Sequence, residues 1–157
     1  TVPGLSSMDA RGSFPKMGKS DDNTINLSDS ESETTQKIMV APTDPQRVRR
    51  HDPGDPERCA IFALHQHVSK PEDIVWSQEG CRTAGIGCTE CKSRLAGNTN
   101  ALLVEFRENR KRLLERPNIV GEVLQAGRAV AETRFNETIG IVRERMGLSR
   151  RTGGTVP

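Results

Sequence analysis

The sequence predicts a mainly α-helical protein, and three observations lead to this fold class. Hydrophobic residues make up 33% of the 157 residues, charged residues 28% and aromatic residues 3%, a balance typical of a helical domain with a wet surface. Two long stretches, about 93–115 and 118–146, read as helices, and the second carries small and apolar residues at helical spacing. No apolar run approaches 18 residues, so no membrane span is expected.

The chain divides into three predicted parts. Residues 1–30 are rich in Gly, Ser, Pro and Asp, which indicates a loop or an exposed segment. Residues 31–148 hold the helical patterns and form the predicted helical domain. Residues 149–157 contain mostly Arg, Gly and Thr and are expected to form a flexible tail.

The first two predicted helices follow from their termini. Acidic residues from Glu31 onwards lead into an apolar run, which fits a helix of two or three turns that ends before Pro42. A turn-forming stretch then precedes Pro56, which is suited to open the next helix. That helix is expected to carry Cys59.

The remaining helices are predicted from caps and periodicity. A short helix should start at Pro71 with Ser69 as its cap and run toward Gly80, and a loop should follow it to residue 91. In the last long helix one face collects small and apolar residues, which predicts core packing; these are Val120, Leu124, Gly127, Ala131, Phe135, Thr138 and Val142.

Four cysteines form the most informative pattern, Cys59-x21-Cys81-x6-Cys88-x2-Cys91. Four soft thiolates suit tetrahedral zinc or a [4Fe–4S] cube, and the spacing alone leaves both open. Glycines at 85 and 87 let the backbone curl near cluster sulfurs, which mildly favours the cluster. The alternatives are inert buried thiols or two disulfides; the start of the chain resembles no signal peptide, so disulfides are the least expected.

Charge is distributed unevenly along the chain. Up to Pro45 there are four basic and seven acidic residues, and from Gln46 onwards nineteen basic and fourteen acidic, so the part with the cysteines is cationic. A cationic surface is consistent with a phosphate-rich partner or with ordinary solvated charge. The candidate RNA contacts are guanidinium and ammonium groups on a loop and on a helix face, namely Arg47, Arg49, Arg50, Arg107, Arg110 and Lys111.

A lysine pair lies on a glycine-containing loop near the start of the chain, in the run Lys16-Met17-Gly18-Lys19-Ser20. Two ammonium groups three residues apart can flank one polyphosphate and stabilise charge that grows on a leaving pyrophosphate. Solvated lysines are the alternative interpretation of the loop taken alone.

Together these motifs resemble a known family. The lysine loop resembles the KMSKS signature of class I aminoacyl-tRNA synthetases, and the later motifs follow in the order expected for the C-terminal half of the bacterial tryptophanyl enzymes that carry a [4Fe–4S] cluster. The resemblance covers roughly residues 10–148. Its residues are the runs 37–39, 43–45, 47–49, 52–59, 80–92, 94–96 and 146–148.

The resemblance implies a cytoplasmic, usually homodimeric ligase that uses ATP and Mg²⁺ to activate tryptophan and transfers it to tRNA(Trp). Lys16 and Lys19 would then act on the leaving pyrophosphate, and residues 16–20 would bind ATP. Residues 1–30 would hold the lysine loop and the end of the catalytic domain, and residues 31–148 would form a helical anticodon-binding domain that contains the four-cysteine site. The four cysteines would hold the cluster, with zinc as the alternative, in a structural role.

Two departures from the family pattern qualify these expectations. Gly18 stands where the signature usually has Ser, so altered loop mobility is expected. The Rossmann catalytic domain with its HIGH motif is absent from this sequence, so the chain is interpreted as a fragment that is inactive alone. The competing interpretations are a stand-alone Fe–S or zinc tRNA-binding module without catalysis, and a tyrosyl-tRNA synthetase.

Overall fold

The computed structural model describes residues 1–148 and confirms a mainly helical fold. Its five helices are α1 (Glu31–Val40), α2 (Ala60–Val68), α3 (Pro71–Arg82), α4 (Cys88–Leu114) and α5 (Ile119–Arg145), with 3₁₀ turns at Lys19–Asp21 and Pro56–Arg58. Within the described residues there is no strand, and the only bridge joins Pro3 to Lys16 in antiparallel fashion. The predicted tail, 149–157, lies outside the described residues.

The chain forms two compact units. The first runs from Thr1 to Asn109 and the second begins at Arg110, so the division falls within α4. The first unit contains the lysine loop, all four cysteines and the hydrophobic core, in which Ile38, Ile61 and Leu95 are at most 1% exposed. No helix of the described part is long and apolar enough to cross a membrane.

Helix α1 begins where its acidic start predicts. The Ser30 hydroxyl accepts a hydrogen bond from the Glu33 amide, and the Glu33 carboxylate accepts one from the Ser30 amide, which completes a capping box. The helix ends at Val40, just before Pro42, as predicted. Thr34 and Ile38 are its fully buried side chains, so this one face fixes α1 to the rest of the unit.

The predictions for α2 and α3 need three corrections. Pro56 opens a 3₁₀ turn and not an α-helix, and Cys59 is the cap residue before α2. The residue before α3 is Lys70 and not the predicted cap Ser69. The Ser69 hydroxyl instead forms hydrogen bonds with the side chains of His65 and Asn98. Helix α3 also continues past Gly80.

The loop predicted between Gly80 and residue 91 is much shorter than expected. Cys81 lies in the last turn of α3, and α4 starts at Cys88, five residues before the predicted start. Ala84 adopts a left-handed φ of 56° and turns the chain between the helices. The Cys88–Cys91 pair therefore lies on the first turn of a helix.

The prediction of core packing for α5 is wrong for the described chain. Helix α5 has no buried residue, and every member of its predicted apolar face is exposed, including Phe135 at 63% and Leu124 at 67%. Periodicity identified which face is apolar, but it carries no information about what covers that face.

Candidate functional site: the four cysteines and the lysine loop

All four cysteines face one small cavity in the first unit. Three helix ends bring them there: Cys59 caps α2, Cys81 ends α3, and Cys88 and Cys91 open α4. The cavity has a volume of about 20 Å³, and the other side chains that line it come from Thr43, Arg47, Ile61, Phe62, Ser77 and Ile86. The four cysteines, which span 33 positions of the sequence, thus line one cavity.

The thiols of this cavity are close enough to influence one another. Burial, and after it the neighbouring Cys59, Cys81 and Cys88, raise the pKa of the Cys91 thiol to about 12. Burial also raises the pKa of Cys59 and of Cys81. Such thiols keep their protons at neutral pH, so a metal that binds them must displace protons.

Four cysteine thiols are the donor set that suits either a [4Fe–4S] cluster or a zinc ion. Among residues 1–148 no three His, Cys, Asp or Glu side chains approach closely enough to hold one metal ion. Four thiolates around one zinc at about 2.3 Å would lie only about 3.8 Å apart. In a [4Fe–4S] cube each thiolate binds a different iron, so the sulfurs stand further apart. The cavity has room for roughly one water molecule, so a bound cluster would require it to widen.

Polar groups surround the sulfurs. The backbone amides of Phe62, Ile61 and Asp44 bond the sulfur of Cys59 and partly offset the rise of its pKa caused by burial. His65 is completely buried, with Nε2 3.6 Å from Cys91 Sγ and Nδ1 2.7 Å from the Ser69 hydroxyl. Burial lowers the pKa of His65, so its ring is neutral beside the cysteine.

Arg47, one of the predicted RNA contacts, is half-buried and its guanidinium has partners within the fold. Its Nη1 lies 3.8 Å from Cys81 Sγ, and its Nη2 donates to the carbonyls of Ile86 and Arg50. Arg49 and Arg50 are exposed. All three arginines line a wider surface pocket of about 430 Å³, together with the first residues of α4 and the residue before them, 87–90.

The three predicted RNA contacts on α4 also include one side chain with partners inside the fold and two exposed side chains. The guanidinium of Arg107 donates to the Asp29 carbonyl at 3.0 Å, the Asn100 side chain at 3.1 Å and the Thr34 hydroxyl at 2.9 Å. Arg110 and Lys111 are exposed and belong to the second unit. Arg107 therefore joins α4 to α1 through its hydrogen bonds and is half-buried, whereas the other two side chains are exposed.

The lysine loop lies on the first unit with both ammonium-bearing residues exposed. Lys16 and Lys19 are exposed, while Met17 between them packs against the hydrophobic core. The Met17 amide also donates to the Val2 carbonyl at 3.1 Å. The loop is thus anchored through its middle, and its two lysines remain accessible to solvent.

Asn23 organises this loop, and the sequence interpretation missed it. Its side chain, 3% exposed, accepts a hydrogen bond from the Gly18 amide at 2.9 Å and donates to the Lys16 carbonyl at 3.3 Å. A side chain on Gly4 would collide with this amide group. A single asparagine after two aspartates carries no distinctive pattern, so nothing in the sequence pointed to this role.

The glycine at position 18 is not required by the backbone. Its φ of −143° is an extended conformation that any residue adopts. A Cβ at this position would come within 2.6 Å of the Asp21 carboxylate, which is exposed and can rotate away. The departure from the signature therefore leaves room for Asp21 beside the loop and does not reflect strain.

Comparison with known proteins decides the family. The family model described as tRNA synthetases class I (W and Y) matches residues 2–104, the part that holds the lysine loop and the four cysteines. This chain belongs to that family. The class I synthetase assignment thus agrees with the motifs that resembled it.

Two relatives of this class I synthetase chain are tryptophan–tRNA ligases. Tryptophan–tRNA ligases of Thermotoga maritima and Deinococcus radiodurans are 41% and 39% identical over 94% and 93% of the chain. The chain spans 44% and 42% of their lengths. A crystal structure of tryptophanyl-tRNA synthetase from Campylobacter jejuni, complexed with ADP and tryptophan, superposes with a TM-score of 0.76 at 29% identity, over 94% of this chain and 43% of that one.

Proposed function

We propose that this chain is the C-terminal part of a tryptophan–tRNA ligase, which activates tryptophan with ATP and Mg²⁺ and transfers it to tRNA(Trp) in a homodimeric cytoplasmic enzyme. One observation carries the proposal: the lysine loop and the four-cysteine cavity belong to the same compact unit of a chain whose relatives bear that name.

The lysine loop is proposed to act on the phosphates of ATP. Lys16 and Lys19 are exposed ammonium groups on a loop whose backbone is held by Asn23. A fixed backbone limits the positions that the two charges can reach, so they need little reorganisation as negative charge moves onto pyrophosphate. The Ser20 hydroxyl would complete the phosphate site, whereas the Met17 and Gly18 amides already donate to Val2 and Asn23.

The four cysteines are proposed to hold a [4Fe–4S] cluster in a structural role, with zinc as the alternative. The group would supply four iron–thiolate bonds that join the ends of α2, α3 and α4. Support comes from the four cysteines, which all line one cavity. The buried neutral His65 would exclude water next to Cys91.

Exposed cations of each unit are proposed as separate contacts to the anticodon region. Arg49 and Arg50 line the wider pocket of the first unit, and Arg110 and Lys111 belong to the second unit. Guanidinium groups that have free donors suit phosphates and base edges. Arg47 and Arg107 stay predictions as RNA contacts, with their donors engaged inside the fold.

The activity is tested by tryptophan-dependent ATP–pyrophosphate exchange. We expect the full-length protein that contains this chain to exchange with tryptophan and not with tyrosine, and the chain alone to be inactive. Lys19→Ala in the full-length protein should lower the exchange rate by about 100-fold, the scale for loss of one charge-stabilising group. Lys70→Ala removes an exposed lysine away from the loop and should leave the rate unchanged. Exchange with tyrosine, or by the chain alone, would contradict the proposal.

The cofactor is tested by metal analysis of the chain purified without oxygen. We expect about four iron and four sulfide per chain with a broad absorption band around 400 nm. Cys59→Ser should lower the iron content. One zinc per chain without sulfide would replace the cluster by a zinc site, and a metal-free chain would leave inert thiols.

A further inference from the structure

We propose that Arg47 is the cationic partner of the cluster site, holding its positive charge against the cysteine sulfurs and raising the reduction potential of the cluster. This inference rests on the proposed cluster. It assigns to Arg47 a role different from the RNA contact that the sequence suggested.

The position of the guanidinium is fixed on one side by two carbonyls. Nη2 donates to the carbonyl of Ile86 at 2.6 Å and to that of Arg50 at 2.9 Å. Ile86 belongs to the turn between the two cysteine-bearing helices, so the arginine is tied to the same short segment that connects Cys81 with Cys88. A side chain held in this way cannot easily turn outward to bind RNA.

The other side of the guanidinium faces sulfur. Nη1 lies 3.8 Å from Cys81 Sγ, and Arg47 lines the cavity together with all four cysteines. Its Nε is buried and has no hydrogen-bond partner among the described residues. A buried N–H group without an acceptor is unfavourable. Sulfur atoms of a bound cluster are acceptors of the kind that such a donor lacks.

Gly54 brings the arginine and the cysteine together. A Cβ at this position would lie 2.6 Å from Cys81 Sγ and 3.1 Å from Cδ of Arg47, so a side chain there would displace both groups. The Gly54 amide also donates to the Cys81 carbonyl at 3.0 Å. The backbone at residue 54 therefore packs directly against the contact between Arg47 and Cys81.

The electrostatic consequence follows from charge alone. Four thiolates and their cluster form a buried anion, and reduction by one electron makes it more negative. A guanidinium stays protonated and carries a full positive charge. In a buried site this charge stabilises the reduced form more than the oxidised form, so its removal should lower the midpoint potential.

The experiment compares three variants of the chain, loaded with cluster without oxygen. Arg47→Gln removes the charge, Arg47→Lys keeps it without the guanidinium fork, and Arg58→Gln removes the charge of an exposed arginine next to Cys59. The measurements are iron and sulfide content, the midpoint potential from a spectroscopic titration, and the rate at which the absorption of the cluster decays in the presence of a chelator. Circular dichroism of each variant confirms that its helices are present.

We expect Arg47→Gln to make one-electron reduction at least tenfold less favourable, which corresponds to about 59 mV, and to accelerate loss of the cluster. Arg47→Lys should retain most of the potential and Arg58→Gln nearly all of it. An arginine that only holds the carbonyls of Ile86 and Arg50 would give the same potential with Gln as with Lys.

Two results would overturn the inference in different ways. Normal loading with an unchanged potential in Arg47→Gln would leave the cluster in place and refute the role of Arg47, the more so if that variant binds tRNA weakly. A wild-type chain that takes up no iron would refute the cluster proposal and this inference with it. If Arg47→Gln does not fold, a midpoint potential in Arg47→Lys that lies about 59 mV or more below wild type, while Arg58→Gln keeps the wild-type value, refutes the role of the charge.

Discussion

Replacement of Arg107 by methionine tests whether this arginine fastens the fold or contacts RNA. Methionine keeps much of the length of the aliphatic stem and removes every donor. The three hydrogen bonds from Arg107 reach the Asp29 carbonyl, Asn100 and Thr34, which lie on a loop, on α4 itself and on α1. The substitution therefore removes the hydrogen bonds that join α4 to α1 and to the loop before α1, and it creates no large cavity.

The expected loss of stability can be worked from these contacts. A hydrogen bond that involves a charged group contributes about 1.5–3 kcal/mol, and a buried polar group left without its partner costs about 1–3 kcal/mol. The Thr34 hydroxyl is fully buried, whereas Asn100 is partly exposed and can bond water. We count the full contribution of the hydrogen bond to Thr34 and only part of the contributions of the bonds to Asp29 and Asn100. The expected loss in the free energy of unfolding is then about 2–4 kcal/mol.

The assay is urea unfolding followed by the fluorescence of Trp76, the only tryptophan in the sequence. Trp76 lies in the first unit with Arg94 stacked 4.5 Å from its ring centre, so its signal reports this unit and not α5. The matched control is Arg110→Met, which removes an exposed arginine three residues along the helix and should change stability by less than about 0.5 kcal/mol.

Equal stability of the two variants would refute the reasoning. If Arg107→Met unfolds at the same urea concentration as wild type and instead weakens tRNA binding, then the guanidinium leaves its intramolecular partners for RNA. A stability loss without a change in tRNA affinity beyond that of Arg110→Met would confirm the structural role.

Three further predictions concern the same unit. Leu95→Ala should lower the free energy of unfolding by about 2–5 kcal/mol because this side chain is fully buried in the core, as urea titration can measure. Gly54→Ala should reduce iron content per chain because its methyl group would displace Cys81, whereas Gly97→Ala, with open space around it, should not. Burial raises the pKa of Asp29, but hydrogen bonds from Lys37 and Asn26 outweigh this effect and leave the pKa below its usual value. The ionised carboxylate therefore stabilises the folded chain. This contribution is fully present above about pH 4 and is lost as the pH falls through the lower folded-state pKa. Acid unfolding of Asp29→Asn should accordingly be flatter than that of wild type, and an identical profile would contradict the assignment.

The parts of the fold predicted from sequence are those that depend on neighbours along the chain. The start of α1 follows from its own acidic first turn, and its end follows from Pro42, so both limits could be found without knowledge of the fold. The four cysteines were singled out because thiols at this spacing in a helical chain are typical of a metal or cluster site, and that site stays a prediction. Residues close together in the sequence are sufficient to predict such features.

Side chains whose partners are distant in sequence escaped prediction. Ser69 has the sequence context of a helix cap, but its hydroxyl bonds Asn98, 29 residues away. Arg47 and Arg107 have the context of surface cations, but their partners lie up to 39 and 78 residues away. A basic residue on a loop looks the same in sequence whether it meets solvent or a buried carbonyl, so charge pattern alone could not distinguish the engaged arginines from exposed Arg49.

The contact of Arg107 with Asp29 has a consequence for the order in which the chain assembles during synthesis. The two residues are 78 positions apart. At about 5–20 residues per second, Arg107 is added roughly 4–16 s after Asp29. Until then α1 has its capping box and its apolar face but lacks the hydrogen bonds that join it to α4. A nascent chain that ends between Cys91 and Arg107 contains the lysine loop and all four cysteines, and its first helix still lacks this attachment.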